Sequence, residues 1–266
     1  MDVVSSILMG ILQGVTEWLP ISSSGQVMMA MMNLLGLEPD KAFSLAIYLH
    51  TGTLLAVTVK LREDIIGVIV SLPNFRKDPL VLFLIVSTVF TAIIGIPVYM
   101  VLKENFAGFH GDLVTALIGL FLILTGVVLR FSYKKDKAER KIKDINAKDM
   151  MLLGIAQGFT ILPGISRSGI TVAALLFRNF NSETALKLSF LMSIPAIIGG
   201  VGLEFAGGGE GGSIPITSII AGIAAAFISG YLAIDILLKF AKKVRFDMFC
   251  MFFGVVAVGA YLIFLV

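Results

Sequence analysis

Of 266 residues, 57% are hydrophobic and only 15% are charged, and the mean hydropathy is +0.96. Soluble domains carry about 45–50% apolar and about 25% charged residues, so this composition excludes an ordinary water-soluble fold and indicates an integral membrane protein. The net charge of +3 says little by itself, and the lone cysteine, Cys250, excludes intramolecular disulfides and cysteine-ligated metal clusters.

The first apolar stretch, residues 4–35, is interrupted at 13–26 by QGVTEWLPISSSGQ, which sets a carboxylate, three serines, a proline and two amides inside a hydrophobic segment. Asp2 is acidic and no small-residue cleavage site follows, so the stretch is expected to be retained rather than removed as a signal peptide. Uninterrupted apolar segments follow at about 43–60, 79–102 and 112–131, then a basic run from Lys134 to Lys148. A second stretch, 150–180, is again broken by Pro, Gly and Ser, and three more apolar segments lie at about 186–206, 215–238 and 247–266. Spanning a bilayer takes about 20 apolar residues, and none of these runs alternates as a barrel strand does. The expected fold is all-α: six transmembrane helices plus two re-entrant broken helix hairpins.

The basic residues fix the expected topology. With both broken stretches turning back, residues 60–78, 130–149, 178–187 and 239–247 share one side and hold 18 of the 21 Lys and Arg. Lys41 and Lys103 fall opposite, and Arg167 lies within the second broken stretch. Were 150–180 to cross, the basic loops would divide between the two sides. The positive-inside rule therefore puts those loops in the cytoplasm and both termini outside. The Lys134–Lys148 run reads as an ordinary cytoplasmic loop, with no nucleic-acid partner expected.

The two broken stretches repeat each other without a gap, at an offset of 144. GILQGVTEWLPISSSGQ (10–26) and GIAQGFTILPGISRSGI (154–170) agree at nine of seventeen positions, among them Gln13/Gln157, Thr16/Thr160, Ser22/Ser166, Ser24/Ser168 and Gly25/Gly169. Three spans separate the copies, so one hairpin enters from each side. The expectation is a single transmembrane domain of inverted repeats, about 1–131 and 148–266, joined by a loop at 132–147. Interrupted segments in corresponding positions point to a site at the midplane. A duplication kept only for close helix packing is the alternative.

The copies differ at Glu17/Ile161, Ser23/Arg167 and Gln26/Ile170. Shared residues read as scaffold, helix ends and serine caps; unshared ones read as chemistry, an acid against a cation. A half-helix starting near Ser168 would aim free N–H groups, serine hydroxyls and the Arg167 guanidinium at one spot, an oxyanion site. The competing reading is a plain Arg167–Glu17 salt bridge. Glu17 can act as a base or hold a divalent cation, Mg or Ca, with Gln13 four residues earlier on the same face. Ser22, Ser23 or Ser24 can supply a nucleophile, against the bland role of a helix cap. Gln13, Ser22, Ser24, Gly25, Gln26, Gly164, Ser166, Ser168 and Gly169 are candidate substrate contacts, with His50, Thr16 and Trp18 accessory. His50 is more simply a packed histidine, and Trp18 either an interface anchor or a wall of the groove. His110 reads as solvated, Asp235 and Lys239 as a structural pair, and Pro195 as a kink.

QGVTEWLPISSSG and PGISRSG resemble the two signatures of the undecaprenyl-pyrophosphate phosphatase family, also known as bacitracin-resistance proteins. The likeness extends to LHTGTLLAV (49–57), LSFLMSIP (188–195) and KFAKKVRF (239–246). The resemblance implies six spans with two re-entrant helix pairs and a site open to the extracytoplasmic face of the cell membrane. It implies hydrolysis of a long-chain polyprenyl diphosphate to the monophosphate and inorganic phosphate, recycling a glycan lipid carrier. A homodimer is a candidate assembly. By motif position Glu17 matches the essential second acid, Gln13 the first position (Glu or Gln), Ser23 the proposed nucleophile and Arg167 the phosphate-binding arginine. The bacterial pattern ends its first motif in a histidine where this chain has Gln26, so Glu17 serves as base, His50 substitutes, or activity falls. A polyprenyl-phosphate flippase using the same anion site is the rival reading, and a noncatalytic lipid-binding scaffold a third. The phosphatidic-acid phosphatase type needs a histidine nucleophile with paired His and Asp, which His50 and His110 do not provide.

Overall fold

In the computed structural model, which describes residues 1–106, 108–132, 139–207, 214–240 and 246–264, each broken stretch is a pair of short helices. The first gives α1 (Val3–Thr16) and α2 (Ser23–Leu35). At 1.5 Å per residue the 14 residues of α1 reach about 21 Å, short of a hydrocarbon core of about 30 Å. Asp2 caps α1 through the Ser5 N–H at 2.7 Å, and the turn from Glu17 to Ser22 ends it before the midpoint of the stretch.

Next come α3 (Pro39–Lys60), α4 (Arg62–Ser71), α5 (Pro79–Phe106) and α6 (Gly111–Ser132). The second broken stretch gives α7 (Ala147–Gly158) and α8 (Arg167–Phe177), followed by α9 (Ser182–Ala206), α10 (Ile216–Phe240) and α11 (Phe246–Phe264). Six of these, α3, α5, α6, α9, α10 and α11, are long and apolar enough to cross a membrane, at the positions the hydropathy gives. Large apolar side chains such as Val89, Ile93, Leu232 and Val255 cover their outer faces, the surface a lipid solvent selects. The chain is a multi-pass, all-α membrane protein.

Helix α4 was expected as part of a loop. Glu63 and Asp64 in its first turn complement the helix dipole, while Ile66, Ile69 and Val70 stay exposed. Pro195 lies within α9 without ending it. Asp235 pairs with Lys60 of α3; the Lys239 side chain, and with it the expected Asp235–Lys239 pair, and residues 133–138 and 241–245 lie outside the described residues.

Helix α1 packs along α10, and α7 packs along α5. Counted in chain order from the two sequence copies, α7 corresponds to α1 and α10 to α5, so these two contacts join corresponding elements. Helix α3 likewise meets its counterpart α9, and α6 meets α11. The repeated glycines explain the close approach. A Cβ on Gly10 or Gly14 would stand 2.1 Å from Gly222 O or 2.0 Å from Ser229 Oγ; on Gly154 or Gly158 it would stand 2.5 Å from Ser87 O or 2.6 Å from Ile94 Cβ. Small residues one turn apart are what lets apolar helices pack without a hydrophobic drive between them.

Candidate active site

The turns of the two hairpins interlock at the centre. Ser22 caps α2 with φ of 61°, and its Oγ accepts the Gly25 N–H at 3.4 Å and, from the other hairpin, the Gly164 N–H at 3.0 Å. Gly164 itself has φ of +98°, and a Cβ there would lie 2.4 Å from Ile118 O. Ser166 caps α8 through Gly169 N–H at 3.1 Å, the counterpart of the Ser22–Gly25 cap. Ser168 Oγ donates to Leu19 O at 3.0 Å, and Thr125 of α6 holds both Gly164 O and Ser166 N–H at 3.2 Å. These shared serines and glycines fix the backbones against each other.

That scaffold gives Ser23 and Arg167, which differ between the copies, the same place: each is the first residue of its half-helix. Both helix starts carry backbone N–H groups without intrahelical partners and the positive end of a dipole. Glu17, 5% exposed, lies between them. Its Oε2 accepts Ser23 Oγ–H at 2.5 Å and Gln13 Nε2–H at 2.8 Å, and stands 3.3 Å from His50 Nε2. Its Oε1 accepts from Arg167 Nη2, and Arg167 Nη1 donates to Ser189 O of α9 at 3.3 Å. The salt bridge considered as the bland alternative is therefore present, and it is one edge of a larger cluster.

His50 is more than a packed side chain. A carbonyl only accepts, so the 2.6 Å contact to Ala46 O fixes the hydrogen on Nδ1 and leaves Nε2 facing Glu17. Gln26 is turned away: its Nε2 donates to Ile21 O at 3.3 Å. Thr16 bonds back to Leu12 O at 2.6 Å. Trp18, 2% exposed, donates to Gly230 O at 3.2 Å and meets Phe190 edge-on at 5.2 Å, so it is a core residue and neither an interface anchor nor a groove wall. His110 is exposed, as expected.

Glu17, Ser22, Ser23, Ser24, His50, Ser166, Arg167 and Ser168 line a cavity of about 480 Å³, whose wall is elsewhere largely apolar side chains and glycines of α5 and α9. Gln26, Thr16, Trp18, Gly25, Gly164 and Gly169 are not on its wall. Sequence reasoning missed Gln157, Thr88, Thr91 and Thr160, which are on it; the identity of Gln157 with Gln13 was the available signal. For a cation at Glu17 the fit is poor. Both carboxylate oxygens already accept hydrogen bonds, and among the described residues no three His, Cys, Asp or Glu group to hold a metal ion.

Two further buried carboxylates tie helices together. Glu204 accepts from Ser44 at 2.6 Å, Tyr99 at 2.7 Å and Lys103 at 2.6 Å, joining α3, α5 and α9. Asp149, at the start of α7, accepts from Arg140 at 2.6 and 3.2 Å and from Arg178 at 2.6 Å. Burial alone would raise the Asp149 pKa; the two guanidinium partners outweigh it and hold the carboxyl below its ordinary range.

The family description "Bacitracin resistance protein BacA" matches residues 6–259. The chain belongs to this family. It is 41% identical over 261 residues to an undecaprenyl-diphosphatase of Methanothrix thermoacetophila, covering 97% of both chains. A protein of the same name from Methanopyrus kandleri is 40% identical, over 95% of this chain and 94% of its own. One from Alkaliphilus metalliredigens is 41% identical, over 91% and 92%. The resemblance first carried by two short motifs thus extends along nearly the whole chain.

Proposed function

We propose that the protein is a membrane phosphatase that hydrolyses a long-chain polyprenyl diphosphate to the monophosphate and inorganic phosphate. The observation that carries this reading is the 2.5 Å contact of Ser23 Oγ with Glu17 Oε2, while Arg167 holds the other oxygen of the same carboxylate. A nucleophile, its base and an anion-binding cation meet on the wall of one largely apolar cavity. Relatives named undecaprenyl-diphosphatase in archaea and a bacterium support the enzyme over a carrier that would only move the lipid.

In the first half-reaction Ser23 Oγ attacks the terminal phosphorus and its proton passes to Glu17 or His50. An Oγ–P bond forms, the bridging P–O bond breaks, and the prenyl monophosphate leaves with the electron pair of that bond. Arg167 and the N–H groups at the starts of α2 and α8 stabilise the charge on the transferring phosphoryl group. In the second half, water attacks the phosphoseryl phosphorus, the Oγ–P bond breaks, and Ser23 takes a proton back from the acid as phosphate departs. The positive-inside count supports a cell-membrane orientation with basic loops cytoplasmic and the cavity and termini outside. The exchanged contacts α1–α10 and α7–α5 support an inverted repeat.

Purified protein is expected to release phosphate from a polyprenyl diphosphate, and Arg167→Ala to lose that activity by about 10³-fold or more. Unchanged turnover in the variant overturns the assignment.

A further inference from the structure

Helix α4 is not explained by packing. None of its 10 residues is buried, and Ile66, Ile69 and Val70 are 58%, 57% and 71% exposed. Local preference does not explain it either. Five of the six residues from Ile65 to Val70 are Ile or Val, and the sixth is Gly67. Glycine and β-branched residues are poor helix formers, and a helix this short is marginal in water even when built from good ones. Such a segment becomes helical where an unbonded backbone N–H or C=O is costly, which is in or beside hydrocarbon.

Length and connections say how α4 lies. At 1.5 Å per residue it reaches about 15 Å, half of a hydrocarbon core of about 30 Å. It joins the end of α3 at Lys60 to the start of α5 at Pro79, two consecutive spans, so it stays at one end of the bundle. Along it Glu63, Gly67 and Ser71 share one face, while Ile66 and Ile69 lie on another. Lys60 and Arg62 precede the apolar run, and Arg76 and Lys77 follow it, with the Arg76 guanidinium 5.6 Å over the Phe75 ring. An apolar stripe, a polar strip and basic ends are what a helix in the plane of a membrane interface carries. The lipid-facing surface of the spans, which includes Leu55 and Val59 of α3 and Ile85 and Val89 of α5, continues onto it.

The repeat does not call for this helix. At the offset of 144 the residues that correspond to Arg62–Ser71 are 206–215, which read AGGGEGGSIP and hold no apolar stripe. Helices α3 and α9, just before these segments, do correspond. The apolar helix is therefore an addition at one end of the molecule, and it faces one leaflet.

We propose that α4 is an interfacial anchor docked on the lipid surface of that leaflet. Ile66 and Ile69 enter the acyl chains, Glu63 and Gly67 face water, and Arg62, Arg76 and Lys77 meet the lipid phosphates. Asp64 Oδ1 pairs with Lys187 Nζ of α9 at 2.6 Å. The anchor thus bears on α3, α5 and α9, the three spans that line the cavity, and sets their depth in the bilayer.

Cys250 is buried, so a cysteine introduced on α4 takes a nitroxide label alone. The test is EPR power saturation on the full chain in vesicles of phosphatidylglycerol and phosphatidylcholine. It compares collisions with oxygen, which concentrates in hydrocarbon, against collisions with a water-soluble nickel chelate. Labels at Ile66→Cys and Ile69→Cys should favour oxygen by about threefold or more, like a label at the lipid-facing Leu232→Cys, whereas labels at Glu63→Cys and Gly67→Cys should favour nickel. Adding Ile66→Asp should raise nickel collisions at the Ile69 label by about threefold or more and leave the Leu232 label unchanged. General unfolding would not confine the change to α4. Nickel reaching all four α4 positions alike places the helix in water. Exclusion of both reagents, with dipolar broadening between labels, places a second copy of the chain on it. Either result overturns the anchor.

Discussion

At the scale of single residues, the informative contrast is between Gln26 and His50. Motif position gives Gln26 the place of a proton-handling histidine, yet its amide is folded onto Ile21 O, off the cavity wall. His50, on a different helix, sets Nε2 3.3 Å from Glu17. A side chain within reach of the base matters to proton transfer; one hydrogen-bonded to backbone elsewhere does not. His50→Ala should lower kcat by about 10²-fold, whereas Gln26→Ala should change it by less than about threefold. Steady-state phosphate release on the two variants checks this, and a larger loss at Gln26 would refute the role given to His50. Ser23→Ala should remove at least about 10³-fold of turnover while diphosphate still binds, separating a nucleophile from a helix cap, whose loss would show chiefly in stability.

At the scale of elements, the hairpins are held by contacts that tolerate no added atoms. Two glycines have left-handed backbone for different reasons. Gly36 ends α2 at φ of +65° with open space around it, so Gly36→Ala should cost about 1 kcal/mol, the ordinary penalty of that conformation. Gly164 adds a collision to the conformation, with Ile118 O 2.4 Å and Phe121 Cβ 2.8 Å from the new carbon. Gly164→Ala should therefore destabilise by about 2–4 kcal/mol and displace the turn that carries Arg167. Thermal unfolding in detergent compares the two, and equal shifts would contradict the interlock. The repeated glycines at 10, 14, 154 and 158 were visible as identities in the sequence. Their use, setting α1 on α10 and α7 on α5, was not, because hydropathy does not name a helix's partner.

At the scale of the whole molecule, buried carboxylates join parts of the chain that a lipid solvent cannot hold by hydrophobic force. Asp149 brings α7 together with Arg178 and with Arg140, whose guanidinium also lies 4.2 Å over the Phe180 ring. Its folded pKa is lowered, so its contribution is complete above the unfolded value of about 4 and is lost as pH falls through the folded value. Below pH of about 4 the wild type should lose Tm more steeply than Asp149→Asn, which at neutral pH should already be less stable by about 2 kcal/mol because two arginines lose their partner. Parallel Tm–pH curves would show that the carboxylate bears no such load.

Hydropathy, interruption and repetition are properties of local order, so the membrane class, the six spans, the broken pair of stretches and the unmatched Glu17, Ser23 and Arg167 are legible along the chain. It also carried the family resemblance, since a motif is a string. Which atoms meet is settled by packing: Ser23 and Arg167 take opposite oxygens of Glu17, and His50 reaches the cluster while Gln26 and Trp18 do not. Those outcomes depend on how helices far apart in the chain pack together and on which hydrogens are already committed to backbone carbonyls. Neither is written in the spacing of residues along one strand of sequence.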